Sequence, residues 1–206
     1  MLRLEGRANA NLGRIPCRHT RWTVALWTAV IASLAWSTLT PPNAVGATGI
    51  EKAYRVKLAY LLNFASLIEW PEDSFTGSES PFVICHLGGS QTRALFDTAY
   101  ADRMVERHPI EVRHPSGVGD VLGCHIIMIT AERSEHAGGF IAAAAGKSIL
   151  SVGENEGFAL SGGMIGFYND ESKLRFEINR GVAESAKLRI SSRLLQLARL
   201  VSSEDE

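Results

Sequence analysis

Two short runs, residues 82–87 (FVICHL) and residues 124–129 (CHIIMI), are apolar almost throughout. A strand with one wet face alternates apolar and polar residues. A continuous apolar strand is instead the kind buried on both faces in a parallel sheet. Such a sheet needs helices on either side, and the intervening segments supply them. In residues 50–68, Tyr54, Leu58, Leu61, Ala65 and Ile68 recur at steps of three and four and form one helical face. Leu62, Phe64 and Leu67 widen that face, so this helix either packs on two sides or keeps one for a partner. It must stop before Pro71, which disfavours helical geometry at Trp70.

Further helices are expected over residues 91–100 and 132–145, the latter in spite of Gly138 and Gly139. Residues 110–113 (IEVR) alternate as an edge or half-buried strand between Pro109 and Pro115, and residues 148–152 (SILSV) form another strand. Strands that alternate with helices argue for βαβ units. The tail differs. Residues 163–168 and 174–179 read as a hairpin joined by residues 169–173. Ser191 or Ser192 is placed to cap a last helix carrying Leu194, Leu197, Ala198 and Val201. Residues 202–206 are an acidic end. The expectation is one α/β domain with a mixed, largely parallel sheet flanked by helices, closed by a C-terminal hairpin and helix.

The N-terminus has a separate purpose. Arg3, Arg7, Arg14, Arg18 and Arg21 face a single acid, Glu5, and an apolar run follows from Val24 to Trp36. Ala44-Val45-Gly46-Ala47 then offers small residues for cleavage after Ala47. Basic, apolar and small-residue regions in that order mark a secretory signal. An uncleaved anchor is the competing reading, but a spanning helix takes about 20 apolar residues. The expected division is a signal peptide over residues 1–47 and a mature domain over residues 48–206. Removing five arginines and one glutamate takes 21 basic and 22 acidic residues to 16 and 21, a net charge of −5. An acidic surface has no electrostatic footprint for nucleic acid and no attraction to an anionic membrane surface. The mature chain is expected to bind no nucleic acid and to insert in no membrane.

Export also changes the cysteine count. Cys17 leaves with the leader, and Cys85 and Cys124 remain as a pair in an oxidising compartment, where small domains use disulfides. Cys85 falls late in its strand and Cys124 early in its own. Parallel neighbours in register would not bring them within the required ~7 Å. Either the strands are offset or one cysteine lies just outside the ladder.

Sites of chemistry are few. His86 and His125 each follow a cysteine, and consecutive strand residues face opposite ways, which argues against a shared metal. Gly88-Gly89-Ser90, between strand and helix, could cradle an anion but reads best as a turn. Ala159-Leu160-Ser161-Gly162-Gly163 lacks the opening glycine of a nucleophile elbow. No catalytic residue, metal site or cofactor is assigned, and the chain is read as non-enzymatic. Arg175, Glu177 and Asn179 share one face of their strand, which is either solvated or a contact for a partner or ligand.

The residues KLAYLLNF (57–64) running to Glu69-Trp70-Pro71 resemble the YfiR family of bacterial periplasmic proteins. So do FVICHLG (82–88), CHIIMIT (124–130), and the stretch from Gly157-Phe158-Ala159 through Arg175-Phe176-Glu177-Ile178-Asn179 to ISSRLL (190–195). The resemblance implies a self-associating α/β domain in the periplasm, with a disulfide between Cys85 and Cys124. It also implies repression of an inner-membrane diguanylate cyclase of the YfiN type through the cyclase's periplasmic domain, lowering cyclic di-GMP. Some relatives have a second cysteine pair near the C-terminus, which this chain lacks. The alternative expectation is a periplasmic small-molecule binding module serving a transporter or sensor kinase.

Overall fold

A computed structural model describes residues 49–202. The expected leader and residues 203–206 of the acidic end lie outside the described residues. Helix α1 (Gly49–Leu67) buries Tyr54, Leu58, Leu61, Phe64 and Ala65, in agreement with the three-and-four spacing. It packs on two sides. Phe64 meets the rings of Phe167 and Phe176 at 6.0 and 5.2 Å. On the other side, the Tyr100 hydroxyl donates to the Leu58 carbonyl at 2.9 Å. The chain leaves α1 directly into β1 (Ile68–Glu69).

The two apolar runs become β2 (Phe82–Leu87) and β5 (Ile126–Ile129), which pair in parallel at the centre of an eight-stranded sheet. From β2 the chain passes through α2 (Ser90–Tyr100) and the short β3 (Met104–Val105) to β4 (His108–Arg113), parallel to β2. From β5 it passes through a 3₁₀ segment and α3 (Ala137–Ala144) to β6 (Leu150–Gly153), parallel to β5. Side-chain alternation sorts the central strands between two cores. Phe82, Ile84, Ile126 and Met128 join α1 and α2 on one face. Val83, Cys85, Leu87, Ile127 and Ile129 join Phe140 of α3 on the other. The direction of winding therefore reverses between β2 and β5.

The tail begins as the sequence suggests. β7 (Ile165–Asp170) and β8 (Lys173–Asn179) form an antiparallel hairpin, with β7 parallel to β6. The connection is tighter than the five residues expected. Glu171 and Ser172 alone make the turn, both at positive φ, 45° and 67°, as a two-residue hairpin turn of the favoured hand requires. Helix α4 (Arg180–Ser185) follows, and then β9 (Arg189–Ile190), which pairs antiparallel with β1. Ser191 caps α5 (Ser192–Leu195), its Oγ accepting from the Leu194 N–H at 3.3 Å.

The last helix is shorter than its sequence spacing suggests. It ends after Leu195, and residues 199–201 form β10 (Arg199–Val201), parallel to β8 at the sheet edge. Arg199 is held there by Glu177 of β8. Strand order across the large sheet is β10-β8-β7-β6-β5-β2-β4-β3. The helix expected over residues 132–145 is also shorter. Residues 131–136 are 3₁₀, with Arg133 outside helical geometry, and only α3 continues as α-helix. No helix among the described residues is long and apolar enough to cross a membrane.

Candidate functional site

Cys85 and Cys124 are joined, with Cα atoms 5.8 Å apart. The strands are in register, Ile84 opposite Ile126, so Cys124 lies outside the ladder. Gly123, at a φ of 92°, turns the chain into this position. His125 then replaces the missing strand hydrogen bonds. Its backbone N–H donates to the Val83 carbonyl at 2.8 Å, and its Nδ1 accepts from the Val83 N–H at 2.9 Å. That leaves Nε2 to donate to the Ser74 carbonyl at 3.1 Å. Burial between the Phe75 and Phe82 rings lowers the His125 pKa and favours this neutral form. Both cysteines are buried, Cys85 at 0% and Cys124 at 4% exposure. The bridge thus sits behind folded structure.

Arg175, Glu177 and Asn179 share one face of β8, but that face is solvated only at its outer end. Arg175 is exposed, 3.7 Å from Asp170 across the hairpin. Glu177 is buried. It folds over its cross-strand neighbour Gly166 and binds Arg199 at 2.5 Å, while Arg199 lies 4.0 Å above the Tyr168 ring. Asn179 is buried too. Its Nδ2 donates to the Ala159 carbonyl at 2.9 Å, and its Oδ1 accepts from the Val182 N–H at the start of α4. The two buried members pin β10 and α4, and only Arg175 faces outward.

Two polar clusters escaped the sequence reading, and both gather at the C-terminal ends of the parallel strands. In the first, Asp97 accepts from His114 Nε2 at 2.8 Å, and His114 Nδ1 lies 3.3 Å from His86 Nδ1. With His114 Nε2 donating, its Nδ1 accepts from His86, and His86 Nε2 is left as a buried acceptor without a partner among the described residues. Burial first, and then His114, lower the His86 pKa to about 4. The His86 ring packs against Gly88, where an added Cβ would collide with it and with Thr130. A Cβ on Gly89 would meet the Glu132 carboxylate. The Gly88-Gly89 turn is thus required by packing, and an acid already rests at the start of α2.

In the second cluster, Glu154 directly follows β6, and its side chain is only 7% exposed. The Tyr54 hydroxyl donates to Oε2 at 2.9 Å, the Ala131 N–H approaches the same oxygen at 3.3 Å, and Lys57 Nζ lies 3.0 Å from Oε1. Lys57 also sits 4.7 Å above the Tyr54 ring. The tyrosine pKa is raised by burial and by the adjacent carboxylate. The sequence signal for this cluster is Tyr54 and Lys57 three residues apart on one helix face, but nothing local links them to Glu154.

Two cavities border these features. One of about 340 Å³ lies beside the disulfide, between Cys124, His125, Lys147 and Lys187. A larger one of about 550 Å³ opens between the first half of α1 and the β7–β8 hairpin, with Glu154 in its wall. Ser161 donates to the Gly157 carbonyl at 3.0 Å within a turn, as its neighbouring glycines suggest. No group of three or more metal-ligating side chains occurs among the described residues.

A solved structure described as a conserved domain protein from Vibrio cholerae O1 biovar El Tor str. N16961 aligns with a TM-score of 0.45 and 12% identity. The match covers 74% of this chain and 60% of that one. No curated protein matches the chain. The family model described as YfiR/HmsC-like matches residues 54–199, a span running from the buried Tyr54 of α1 to the first residue of β10. The chain belongs to the YfiR/HmsC-like family.

Proposed function

We propose that this protein is a non-enzymatic periplasmic regulator that represses an inner-membrane diguanylate cyclase and so lowers cyclic di-GMP signalling. Membership of the YfiR/HmsC-like family, a family of regulatory domains, is the observation that carries this reading. The leader over residues 1–47, cleaved after Ala47, would deliver the domain of residues 48–206 to the periplasm, where its disulfide can form. The expected partner is the cyclase's periplasmic domain. Repression of this kind is a difference in affinity: the regulator must bind the inactive cyclase state more tightly than the active one. A homodimer is a second proposed association.

The disulfide is better read as a staple than as a redox latch, because both sulfurs are buried. Arg175, the exposed member of the β8 triad, is the proposed contact residue on that strand. Binding tests the partnership directly. Purified protein titrated against the periplasmic domain of a YfiN-type membrane diguanylate cyclase from the same cell should give a saturable complex, weakened by Arg175→Glu. Absence of a complex with the isolated domain and with the full-length cyclase would remove the proposal.

A further inference from the structure

We propose that the cleft between α1 and the β7–β8 hairpin binds a small organic anion: one carboxylate or phosphate group on an apolar body. The cleft holds about 550 Å³, within the range of sites that enclose small molecules. It opens where β6 gives way to Glu154, at the C-terminal end of that strand.

Its chemistry is divided. Val56 and Phe167 are among the residues forming the apolar wall, while Lys52, Lys57 and Lys173 supply positive charge. Glu154 is the one acid among the described lining residues, and it is already engaged by the Tyr54 hydroxyl, the Ala131 N–H and Lys57. This buried carboxylate neutralises Lys57 and holds it in place. Lys52 and Lys173 are exposed and neither forms an ion pair among the described residues, although Asp170 stands opposite Lys173 in the hairpin register. Two exposed cations beside an apolar wall fit an anion with an apolar tail and repel a cation with the same tail. Val56, in the wall of the cleft, is 47% exposed. An apolar tail lying along α1 would cover it.

The site does not depend on the cyclase partnership, so it is tested on the purified protein alone. Calorimetric titration with octanoate and octyl phosphate measures binding, with octylammonium as the oppositely charged control. Octanoate, octyl phosphate or both should bind saturably at one site, with an affinity that weakens as salt rises, and octylammonium should not. A double variant, Lys52→Gln with Lys173→Gln, should weaken binding at least tenfold while leaving the melting temperature unchanged. Val56→Glu, an exposed change, should abolish it. Failure of both anions to bind saturably would overturn the assignment. So would equal binding of octylammonium, or an affinity that the lysine double variant leaves intact.

Discussion

Cys85 and Cys124 enclose 39 residues of sequence separation, and on the chain-entropy estimate such a bridge stabilises the fold by about 4 kcal/mol. The double variant Cys85→Ala/Cys124→Ala should lose roughly that amount in chemical denaturation. With both sulfurs buried, the bond in wild-type protein should resist dithiothreitol until denaturant is added; fast reduction in native buffer would make it a latch. His86 predicts a pH dependence. Its folded pKa is held near 4 by burial and by His114, with Arg93 lowering it further and Asp97 opposing. Below pH ~6.5 the unfolded chain takes up a proton that folded His86 refuses, so stability falls as pH drops from about 6.5 to about 4. The full effect is on the order of 3 kcal/mol. Melting curves across that range should show the loss, and His86→Gln should flatten it; an unchanged slope in the variant would assign the effect elsewhere. At this scale the sequence revealed types but not partners. The geometric problem of Cys124 was visible, while its solution, a histidine ring completing the ladder, was not. Glu177 and Asn179 alternate with apolar neighbours as solvated residues do, and only tertiary packing shows that Glu177 folds down over Gly166 and that Asn179 caps α4.

Elements were legible where periodicity is strong. The α1 face, both apolar strands and the hairpin follow from residue spacing alone, because each has a burial pattern that local sequence records. The failures come where two or three residues take their structure from a distant neighbour. β1 and β9 are two residues each and exist only as a pair. β10 has helix-like spacing, yet Glu177 and the free edge of β8 draw it into the sheet, leaving Leu197 and Leu200 exposed. α4 starts where the buried Asn179 caps it. Asn179→Ala removes this cap and the bond to Ala159, so it should cost about 2–3 kcal/mol. Arg175→Ala, four residues outward along the same face of the strand, should stay within about 0.5 kcal/mol. Equal losses from the two substitutions, measured by urea denaturation, would contradict the division of that face into buried and exposed halves.

For the molecule as a whole, the central parallel strands, wound in opposite directions from the β2–β5 boundary, follow from the two apolar runs. The same topology brings together His86, Asp97 and His114 at one end of the sheet, and likewise Tyr54, Lys57 and Glu154. Each trio is drawn from segments far apart in the chain, so no local motif announces it. Function is legible mainly through family membership, since the fold itself hosts unrelated activities. The proposed regulation makes one decisive demand on the cell. Intracellular cyclic di-GMP should rise when the gene is deleted, return to its starting level when the gene is restored, and stay low when the partner cyclase is deleted as well. A level that does not change on deletion, in cells that contain the cyclase, would contradict repression.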